Sequence, residues 1–577
     1  MPILKRSFLL VAVIIAAANI SFAQNALTIP PALTGTTFNL NIQNGTTQFY
    51  PGINTPTYGI NGALLAPTLI VNKWDWITMN VTNNLTGSGN STTMHWHGLH
   101  VPAMDDGGPH MVILQGTTWS PSFQILNNAG TFWYHPHGHN KTDLHVSKGL
   151  AGMIIVKDSA EAALTLPRNY GVDDFPIIVQ SKAFDVLNQI AIATEEDTAV
   201  CVNGTMHPYL DAPSQVIRLR LLNGSSMRSY NFGFTANKPF KMIATDAGLL
   251  DSAITLTRIR LSPGERAEIL VDLQGMNGQT IYLNSFSSEF PNGIYGAATV
   301  TGMMGATIPG YNLNPLNGLN FEILQINVVG QTATPVTTLP TTLVTNVMWN
   351  PASINATRNF NLAPQTMSPS TMLIGPFSIN GKVFDMDSIN VVTYLNNIEK
   401  WHWTNNTSIA HPIHIHDMHF YILNINGGAV PNWEQGKKDV VLVMPGEYVE
   451  FITKFEDFAD DSIPYMYHCH LLHHEDDGMM GSFVVIDTTA SSGIQQLTNQ
   501  YFSFYPNPVA DLLSVKFENK ISFAEINVSD VLGKSILKQK ISNRDDTKIN
   551  VASLASGIYF LQIKETNKLF TQIFLKQ

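Results

Sequence analysis

Histidines in this chain are confined to four short windows, and no other feature of the sequence constrains the fold as strongly. Seventeen of the 18 histidines lie within residues 95–110, 135–145, 402–419 and 468–474. Each window contains two histidines separated by one residue, and these pairs are His95/His97, His135/His137, His414/His416 and His468/His470. Because residues i and i+2 of a β-strand face the same side, each pair presents both imidazoles to one face. We therefore expect strands from both halves of the chain to meet around a shared metal cluster.

A different kind of metal site is predicted around Cys469, which lies between the two histidines of the last pair. Its side chain faces the opposite side of the strand from those histidines. One thiolate, two imidazoles and a distant methionine are the ligands of a blue-copper electron-transfer site. His474 and Met479 follow Cys469 closely, and Met480 competes with Met479 for the methionine position. His411, which belongs to no pair, supplies the remaining imidazole.

The four pairs supply eight imidazoles, which suffice for three copper ions if one ion takes two and the others take three each. Ten histidines, one cysteine and one methionine would then hold four copper ions. A structural zinc site closes at four ligands, so zinc would leave most of these histidines unexplained. The eight other histidines are predicted to be supporting, surface or core residues: His100, His110, His139, His145, His207, His402, His419 and His473.

The composition is typical of an all-β protein. Charged residues make up only 13% of the chain, and its 41 glycines and 31 prolines interrupt short runs in which apolar and polar residues alternate. The formal charge of −11 argues against nucleic-acid partners and against anionic membrane surfaces. Two cysteines are too few for a disulfide framework. Cys201 lies in an apolar run and is expected to be a buried free thiol.

Residues 1–23 have the pattern of a secretory signal peptide, because basic residues precede an apolar stretch and a small-residue cleavage site. No later stretch reaches the ~18 apolar residues that a membrane-spanning helix needs, so we expect no membrane span.

The metal cluster should lie between the first and third domains, with the middle domain as a spacer. The predicted parts are β-rich domains at 24–160, 161–332 and 333–490, a polar linker at 491–500 and a small β-rich module at 501–577.

The histidine motifs together resemble those of three-domain multicopper oxidases of the laccase type. They are H-W-H-G, W-Y-H-P-H, H-P-I-H-I-H and H-C-H-L-L-H-H-E-D-D-G-M-M, and the resemblance covers residues 30–488. It is strongest to the bacterial branch of periplasmic copper oxidases, spore-coat laccases and bilirubin oxidases. The fold that the resemblance implies is all-β, with three cupredoxin-like Greek-key β-barrel or sandwich domains. We expect a small immunoglobulin-like β-sandwich to follow them at the C-terminus.

The resemblance also implies a role for each ligand. The type 1 copper would be held by His411, Cys469, His474 and Met479, the type 2 copper by His95 and His414, and the two type 3 coppers by His97, His135, His137, His416, His468 and His470. The family uses two acidic residues to deliver protons to oxygen. These correspond to Asp106, with Asp105 as a weaker candidate, and to Glu475. Either acidic residue could instead be an ordinary surface turn residue.

The C-terminal module, residues 501–577, resembles the type A sorting domain of the type IX secretion system. The matching stretches are Y-P-N-P-V, L-A-S-G-I-Y and a terminal F-L-K-Q. This resemblance implies the type IX secretion machinery as a partner. It also implies export through the periplasm and across the outer membrane, to a secreted or cell-surface location. A generic immunoglobulin-like accessory sandwich is the alternative interpretation.

The predicted reaction is one-electron oxidation of a small reducing molecule at the type 1 copper, coupled to four-electron reduction of O₂ to water at the other three coppers. Copper-detoxifying relatives carry a methionine-rich insert, whereas residues 350–390 contain only Met367, Met372 and Met386. This difference favours phenols or aromatic amines as electron donors. Alternatives are a cuprous or other metal-ion oxidase, Mn(II) or bilirubin-like donors, and a non-catalytic copper-binding protein, which would require lost ligands.

Overall fold

The computed structural model describes residues 24–488 and 502–577, apart from residues 88, 193–195, 303–304, 531–533 and 565–568. The predicted signal peptide and linker lie outside the described residues. Strands account for 49% of the structure and helices for only 7%, which confirms the predicted all-β fold class. It forms two compact units, one ending at Asp487 and the other beginning at Thr488. None of the helices in the described residues has the length and apolar character needed to cross a membrane.

Ten strands and two helices form the first part of the larger unit. The alternating exposure of β6, in which Ile77, Met79 and Val81 are buried between more exposed neighbours, shows how one sheet face builds the core. The elements are β1 Asn25–Ala26, β2 Ala32–Thr34, β3 Thr37–Thr47, β4 Thr55–Ile60, β5 Thr68–Asn72, β6 Trp76–Asn84, β7 Thr118–Trp119, β8 Ser122–Gln124, β9 Gly130–Tyr134, α1 Thr142–Ser147, β10 Gly152–Lys157 and α2 Ser159–Ala162.

Two sheets of this part, β2-β5-β10-β9 and β4-β3-β6-β7 with β8 on β6, contribute residues to one hydrophobic cluster. The first strand, β1, instead joins a sheet of the middle part. The strands of the middle part are β11 Asp174–Phe184, β12 Ile190–Ala191, β13 Ala199–Val202, β14 Thr205–Met206, β15 Pro208–Pro213, β16 Val216–Asn223, β17 Tyr230–Phe234, β18 Phe240–Thr245, β19 Gly248–Leu256, β20 Ile259–Leu261, β21 Arg266–Asp272, β22 Thr280–Phe286 and β23 Asn320–Val329.

The middle part also has two sheets around one cluster, in the orders β1-β15-β23-β22-β17-β20 and β14-β13-β11-β16-β21-β18-β19, with β12 on β11. Cys201 lies there as a buried free thiol, as predicted, and burial raises its pKa to about 11.

The third part consists of β24 Ala356–Pro364, α3 Thr371–Ile374, β25 Phe377–Ile379, β26 Val391–Tyr394, β27 Ile398–Asn405, β28 His411–Ile415, β29 Phe420–Ile425, β30 Val440–Val443, β31 Tyr448–Lys454, β32 Asp460–Cys469, α4 Leu472–Asp476 and β33 Met480–Ile486.

The third part has sheets in the orders β25-β24-β27-β31-β29 and β26-β33-β32-β28-β30, again around one hydrophobic cluster. Its strand β28 carries H-P-I-H-I and is buried at every residue, because one face packs into the core and the other faces the histidine site. The smaller unit has its own core and comprises β34 Phe502–Tyr505, β35 Leu512–Ser529, β36 Ser535–Asn550, β37 Gly557–Lys564 and β38 Leu569–Lys576, in the order β34-β35-β37-β38 with β36 on β35.

Candidate metal centres

The register of two strands places the ligands of the predicted thiolate site on one face. In the antiparallel pair of β28 and β32, Ile413 lies opposite Cys469, so His411, two residues before Ile413, faces the same side as the thiol. His474 comes from the short helix α4. The Cys469 Sγ atom is 3.4 Å from His411 Nδ1 and 3.8 Å from His474 Nδ1. All three side chains are buried and share one face, as the sequence predicted.

The surroundings of this thiol are apolar and favour Met479 as the fourth ligand. Phe377 stands edge-on to both imidazoles, with ring centroids 4.8 Å from His411 and 4.7 Å from His474. Met479 belongs to the same hydrophobic cluster as Cys469, whereas Met480 packs in a separate cluster. Burial raises the pKa of the Cys469 thiol, so a thiolate needs a cation beside it here.

The four histidine pairs meet in one buried region. His95 and His135 exchange backbone hydrogen bonds of 2.8 and 3.1 Å, and His414 lies opposite His468 between β28 and β32. The His95–His135 pairing lies within the first part of the larger unit, and the His414–His468 pairing lies within the third part. Contacts between the two parts complete the region, since His137 Nε2 is 3.1 Å from His468 Nε2. The predicted meeting of strands from both ends of the chain is therefore what the structure shows.

The eight imidazoles divide into two triads and a remaining pair. In each triad one nitrogen per residue lies within 4.8 Å of the others, and the triads are His97, His135, His470 and His137, His416, His468. His95 and His414 remain, and they lie near His97 in a further grouping. This division is the one that three copper ions would need, although His95 and His416 also converge with Asp106.

Several nitrogen atoms in this region have no partner that the protein itself provides. His95 Nε2, His414 Nε2 and both ring nitrogens of His470 are buried without a hydrogen bond among the described residues. Burial first, and neighbouring imidazoles second, lower the pKa of His97 and of His414, which favours their neutral forms. Neutral imidazoles with free lone pairs are the form that binds metals. The donor set therefore fits copper.

Backbone carbonyls fix the orientation of these rings. His95 Nδ1 donates to the carbonyl of Asp106 at 2.9 Å, His414 Nδ1 to that of Asp439 at 2.8 Å, and His468 Nδ1 to that of Cys469 at 3.0 Å. Such bonds select the tautomer whose Nε2 lone pair is available to a metal.

Comparison with known proteins agrees with this geometry. Two profiles described as multicopper oxidase match residues 41–161 and 348–489. A multicopper oxidase of Staphylococcus haemolyticus is 33% identical over 460 residues, which cover 78% of this chain and 88% of that protein. The chain belongs to the multicopper oxidase family. It is accordingly an oxidoreductase that uses copper.

Two further relatives of this multicopper oxidase have names that describe different functions. One is the bacterial laccase-like multicopper oxidase CueO from the lignin-degrading Ochrobactrum sp., a protein with oxidase activity towards lignin model compounds and lignosulfonate. Its structure superposes with a TM-score of 0.69 at 31% identity, covering 80% of this chain and 100% of that one. Cell division protein FtsP of Photorhabdus laumondii is 30% identical, covering 80% of this chain and 93% of that protein. Relatives thus include a protein named for another process, so the ligands themselves must carry the functional argument.

A profile described as a secretion system C-terminal sorting domain matches residues 503–577 of the multicopper oxidase. This match confirms the predicted sorting module. Such a module marks the protein for export, as a secreted or cell-surface protein.

Asp106 and Glu475 both contact the histidine region, whereas Asp105 accepts a 3.0 Å hydrogen bond from the Trp96 indole through its backbone carbonyl. Asp106 Oδ2 accepts a 2.8 Å hydrogen bond from His416 Nδ1, and its Oδ1 is 3.3 Å from His95 Nδ1. Although burial opposes it, these histidines lower the pKa of Asp106.

Glu475 lies on the other side of the region, in helix α4. It accepts a 2.6 Å bond from the Thr142 hydroxyl, and its carboxylate oxygens are 3.5 Å from His137 Nδ1 and 3.3 Å from His468 Nδ1. Burial raises the pKa of Glu475, and the charge of Asp476 raises it further.

Asp439 and Arg266 are site residues that the sequence reasoning missed. Asp439 Oδ1 is 3.2 Å from His97 Nε2, and Arg266 forms two hydrogen bonds to the Asp439 carboxylate, of 2.6 and 2.5 Å. All three side chains are fully buried. Nothing in the local pattern K-K-D-V-V-L distinguishes Asp439 from a surface residue, and its role becomes visible only in its contacts with His97, His414 and Arg266.

Arg266 gives residues 161–332, predicted to be a spacer, a further contact with the site. It is the first residue of β21 in the middle part, yet it contacts a residue that orients the metal-site histidines. Gly264 approaches so closely that a Cβ there would lie 2.9 Å from the His470 ring. Gly98 of H-W-H-G, with φ +82°, leaves room for the Asp439–Arg266 pair, since its Cβ would lie 2.4 Å from Asp439 Oδ2. The middle part therefore forms one wall of the site.

The other eight histidines have protein partners or lie near the surface. Examples are His100, which lies 2.6 Å from Asp417 and 2.9 Å from Asp457, and His419, which donates to the Gly98 carbonyl at 2.8 Å. None of the eight belongs to a group of three or more converging ligand atoms among the described residues. Their predicted supporting and structural roles agree with these positions.

Proposed function

We propose that this multicopper oxidase oxidises a small reducing molecule at the Cys469 site and reduces O₂ to water at the eight-imidazole site. One observation carries the proposal. The ligands separate into a thiolate set and an imidazole set, and Cys469 of the first set is covalently bonded to His468 and His470 of the second. That arrangement suits a protein that collects single electrons at one site and uses several together at another.

The proposed cofactors are four copper ions, one of type 1, one of type 2 and two of type 3, with the ligands assigned from the sequence. Copper at these positions supplies reversible one-electron chemistry and a place for O₂ to be reduced. The chain contributes the connection between the sites. Besides the peptide bonds, the hydrogen bond from His468 Nδ1 to the Cys469 carbonyl gives a second short route at 3.0 Å.

Proton delivery is assigned to Asp106 and Glu475, on two sides of the imidazole region. Asp106 contacts His416 and His95, and Glu475 lies beside His137 and His468. Both carboxyl groups are buried against the cluster, and proton transfer from them would run through bound water, since the neighbouring histidines favour the ionised form of Asp106. The Thr142 hydroxyl holds the Glu475 carboxylate in place.

The proposed electron donors are phenols or aromatic amines. The methionines of residues 350–390 do not form a common thioether surface: Met367 is 76% exposed, Met372 is buried, and Met386 packs in the cluster of Phe384 and Met480. A thioether surface is what would gather Cu(I). Activity of the Ochrobactrum relative towards lignin compounds supports the same donor class. Cuprous or other metal-ion oxidation is the second candidate.

Export is proposed to run through the periplasm, directed by residues 1–23, and then across the outer membrane. The type IX secretion machinery would recognise the C-terminal module on the second step. The sorting-domain match supports the second step.

The deciding experiment is oxygen uptake by the copper-loaded mature protein, with a phenolic donor and Cu(I) compared side by side and no free copper added. We expect faster uptake with the phenol. Faster uptake with Cu(I) would favour the metal-ion oxidase, and uptake with neither would contradict the oxidase proposal for both donor classes.

A further inference from the structure

One face of the sheet β4-β3-β6-β7, with β8 on β6, is open to solvent and has no part in the proposed reaction. The opposite face of the same sheet packs into the core of the first part, through Phe38 and Leu40 of β3 and Ile77 and Met79 of β6. The outward side chains of β3 and β6 lie opposite each other in rows, and these rows are Thr37/Thr78, Asn39/Asn80 and Asn41/Thr82. None of these six side chains is charged.

Lateral hydrogen bonds fix the orientation of these side chains. Asn80 Nδ2 donates to Asn39 Oδ1 at 3.0 Å, and the hydroxyl groups of Thr78 and of Ser122, on β8, lie 3.0 Å apart. An asparagine side chain has two donor hydrogens and one acceptor oxygen. A single lateral bond therefore leaves each amide with further hydrogen-bonding capacity, held in one orientation.

Two tryptophans lie at one end of this face. Trp76 begins β6 opposite Gln124, is 63% exposed, and donates from its indole N–H to the Ser122 hydroxyl at 2.8 Å. Trp74 is 61% exposed and has a left-handed backbone, with φ 74°, which is strained for a bulky residue. Its N–H donates to the Ile125 carbonyl at 2.7 Å, and its carbonyl accepts from Gln124 Nε2 at 3.0 Å. A strained and exposed tryptophan held by two hydrogen bonds indicates binding rather than packing.

The chemistry of the face decides which class of partner it fits. Nucleic acids and acidic polymers need cationic side chains, and a stable protein interface has an apolar centre. A neutral polysaccharide needs amide and hydroxyl groups for its own hydroxyls, and an exposed aromatic ring against which the C–H side of a sugar packs. The outward face of β3 and β6 provides both. A secreted or cell-surface location gives it access to such polymers.

We propose that this face binds an extended neutral polysaccharide of the cellulose or mannan type. The strand from Trp76 to Thr82 is roughly 20 Å long, so a straight polymer can follow it over several sugars. One sugar ring packs on the Trp76 indole, and the amides of Asn39 and Asn80 exchange hydrogen bonds with the hydroxyls of its neighbours. Neither copper nor the electron donor takes part, so the proposal is independent of the oxidase reaction.

The test is affinity electrophoresis of the copper-loaded mature protein in native gels that contain hydroxyethylcellulose, glucomannan or galactomannan. We expect retardation by at least one of these polymers, relative to a polymer-free gel. Trp76→Ala and Asn80→Asp should each weaken binding by about tenfold or more, because one removes the packing surface and the other replaces a donor amide by a charge of the same shape. Each variant is compared with itself in the polymer-free gel.

Two variants of the third part are matched controls. Tyr394→Ala removes a 40% exposed aromatic side chain from β26, and Asn359→Asp makes the same amide-to-carboxylate change at an exposed position of β24. Both should keep the retardation of the unmodified protein. Copper content, visible absorbance and thermal unfolding check that every variant folds.

Three results would overturn the proposal. The first is no retardation by any of the three polymers, and the second is equal retardation of Trp76→Ala, Asn80→Asp and the two controls. The third is self-association: sedimentation of the protein alone would show a dimer that Trp76→Ala dissociates. That result would assign the face to a second copy of this chain.

Discussion

At the scale of single residues, Cys469 is the point where the two candidate sites meet. Its side chain joins His411 and His474 in the core of the third part, while its neighbours His468 and His470 face the imidazole region. This separation follows from the alternation of side chains along β32. In the proposed reaction, Cys469 would thus control electron entry without contributing a ligand to the imidazole site.

Replacing Cys469 by serine should abolish the blue absorbance and the oxidase turnover, because serine offers no thiolate to the metal. The eight imidazoles should still bind copper. Visible absorbance, copper content and oxygen uptake of the purified variant test this. Cys201→Ala, which removes the buried thiol of the middle part, is the control and should keep all three properties. Full turnover by the Cys469 variant would contradict the proposed electron route.

Glu475→Gln should slow reoxidation of the reduced enzyme by O₂ by about 10²-fold or more, since the amide cannot pass a proton. Reduction of the Cys469 site by the donor should keep its rate. Stopped-flow absorbance measures the two steps separately. Asp477→Asn, at the end of the same helix and with a 42% exposed side chain, provides the control. Reoxidation at the normal rate would remove Glu475 from the proton path.

At the scale of elements, β21 brings a charge from the middle part into the wall of the imidazole region. Arg266 is its first residue, and its guanidinium is satisfied by Asp439, by the Thr131 carbonyl and by the Gly264 and Asp246 carbonyls. Asp439, just before β30, in turn contacts His97. The orientation of an imidazole thus depends on packing between two sheets of different parts.

Arg266→Met should destabilise the fold by about 3–5 kcal/mol, because it leaves the buried Asp439 carboxyl group without its charged partner. We also expect lower copper occupancy of the imidazole region and unchanged blue absorbance in the molecules that fold. Thermal unfolding measures the change in stability, and the ratio of copper content to blue absorbance measures the loss of copper from the imidazole region. Arg258→Met, which breaks the half-exposed pair with Glu289 in the same part, should change stability by less than about 1 kcal/mol. Equal copper loss in both variants would contradict the positioning role.

At the scale of the whole molecule, the metal residues all lie in the unit that ends at Asp487, and the sorting module has its own hydrophobic core. A chain truncated after residue 488 should therefore keep its copper and its oxygen uptake. It should lose export when expressed in a host with a type IX secretion system. Activity in cell fractions compared with the medium measures both outcomes. Export of the truncated chain would contradict the assigned role of the module.

The metal ligands could be predicted from sequence because their chemistry is local. A His-x-His spacing on a strand defines which face both imidazoles share, and a cysteine between them must face the other way. The all-β class followed equally from alternation, as in β6 and β27. The sequence already favoured Met479 and Asp106 over their neighbours, but it could not show contacts between residues far apart in the chain, namely the hydrogen bond between Asp106 and His416 and the Arg266–Asp439 pair. These depend on how whole sheets pack, so only the tertiary structure decided them, and with them that the middle part is a wall of the site.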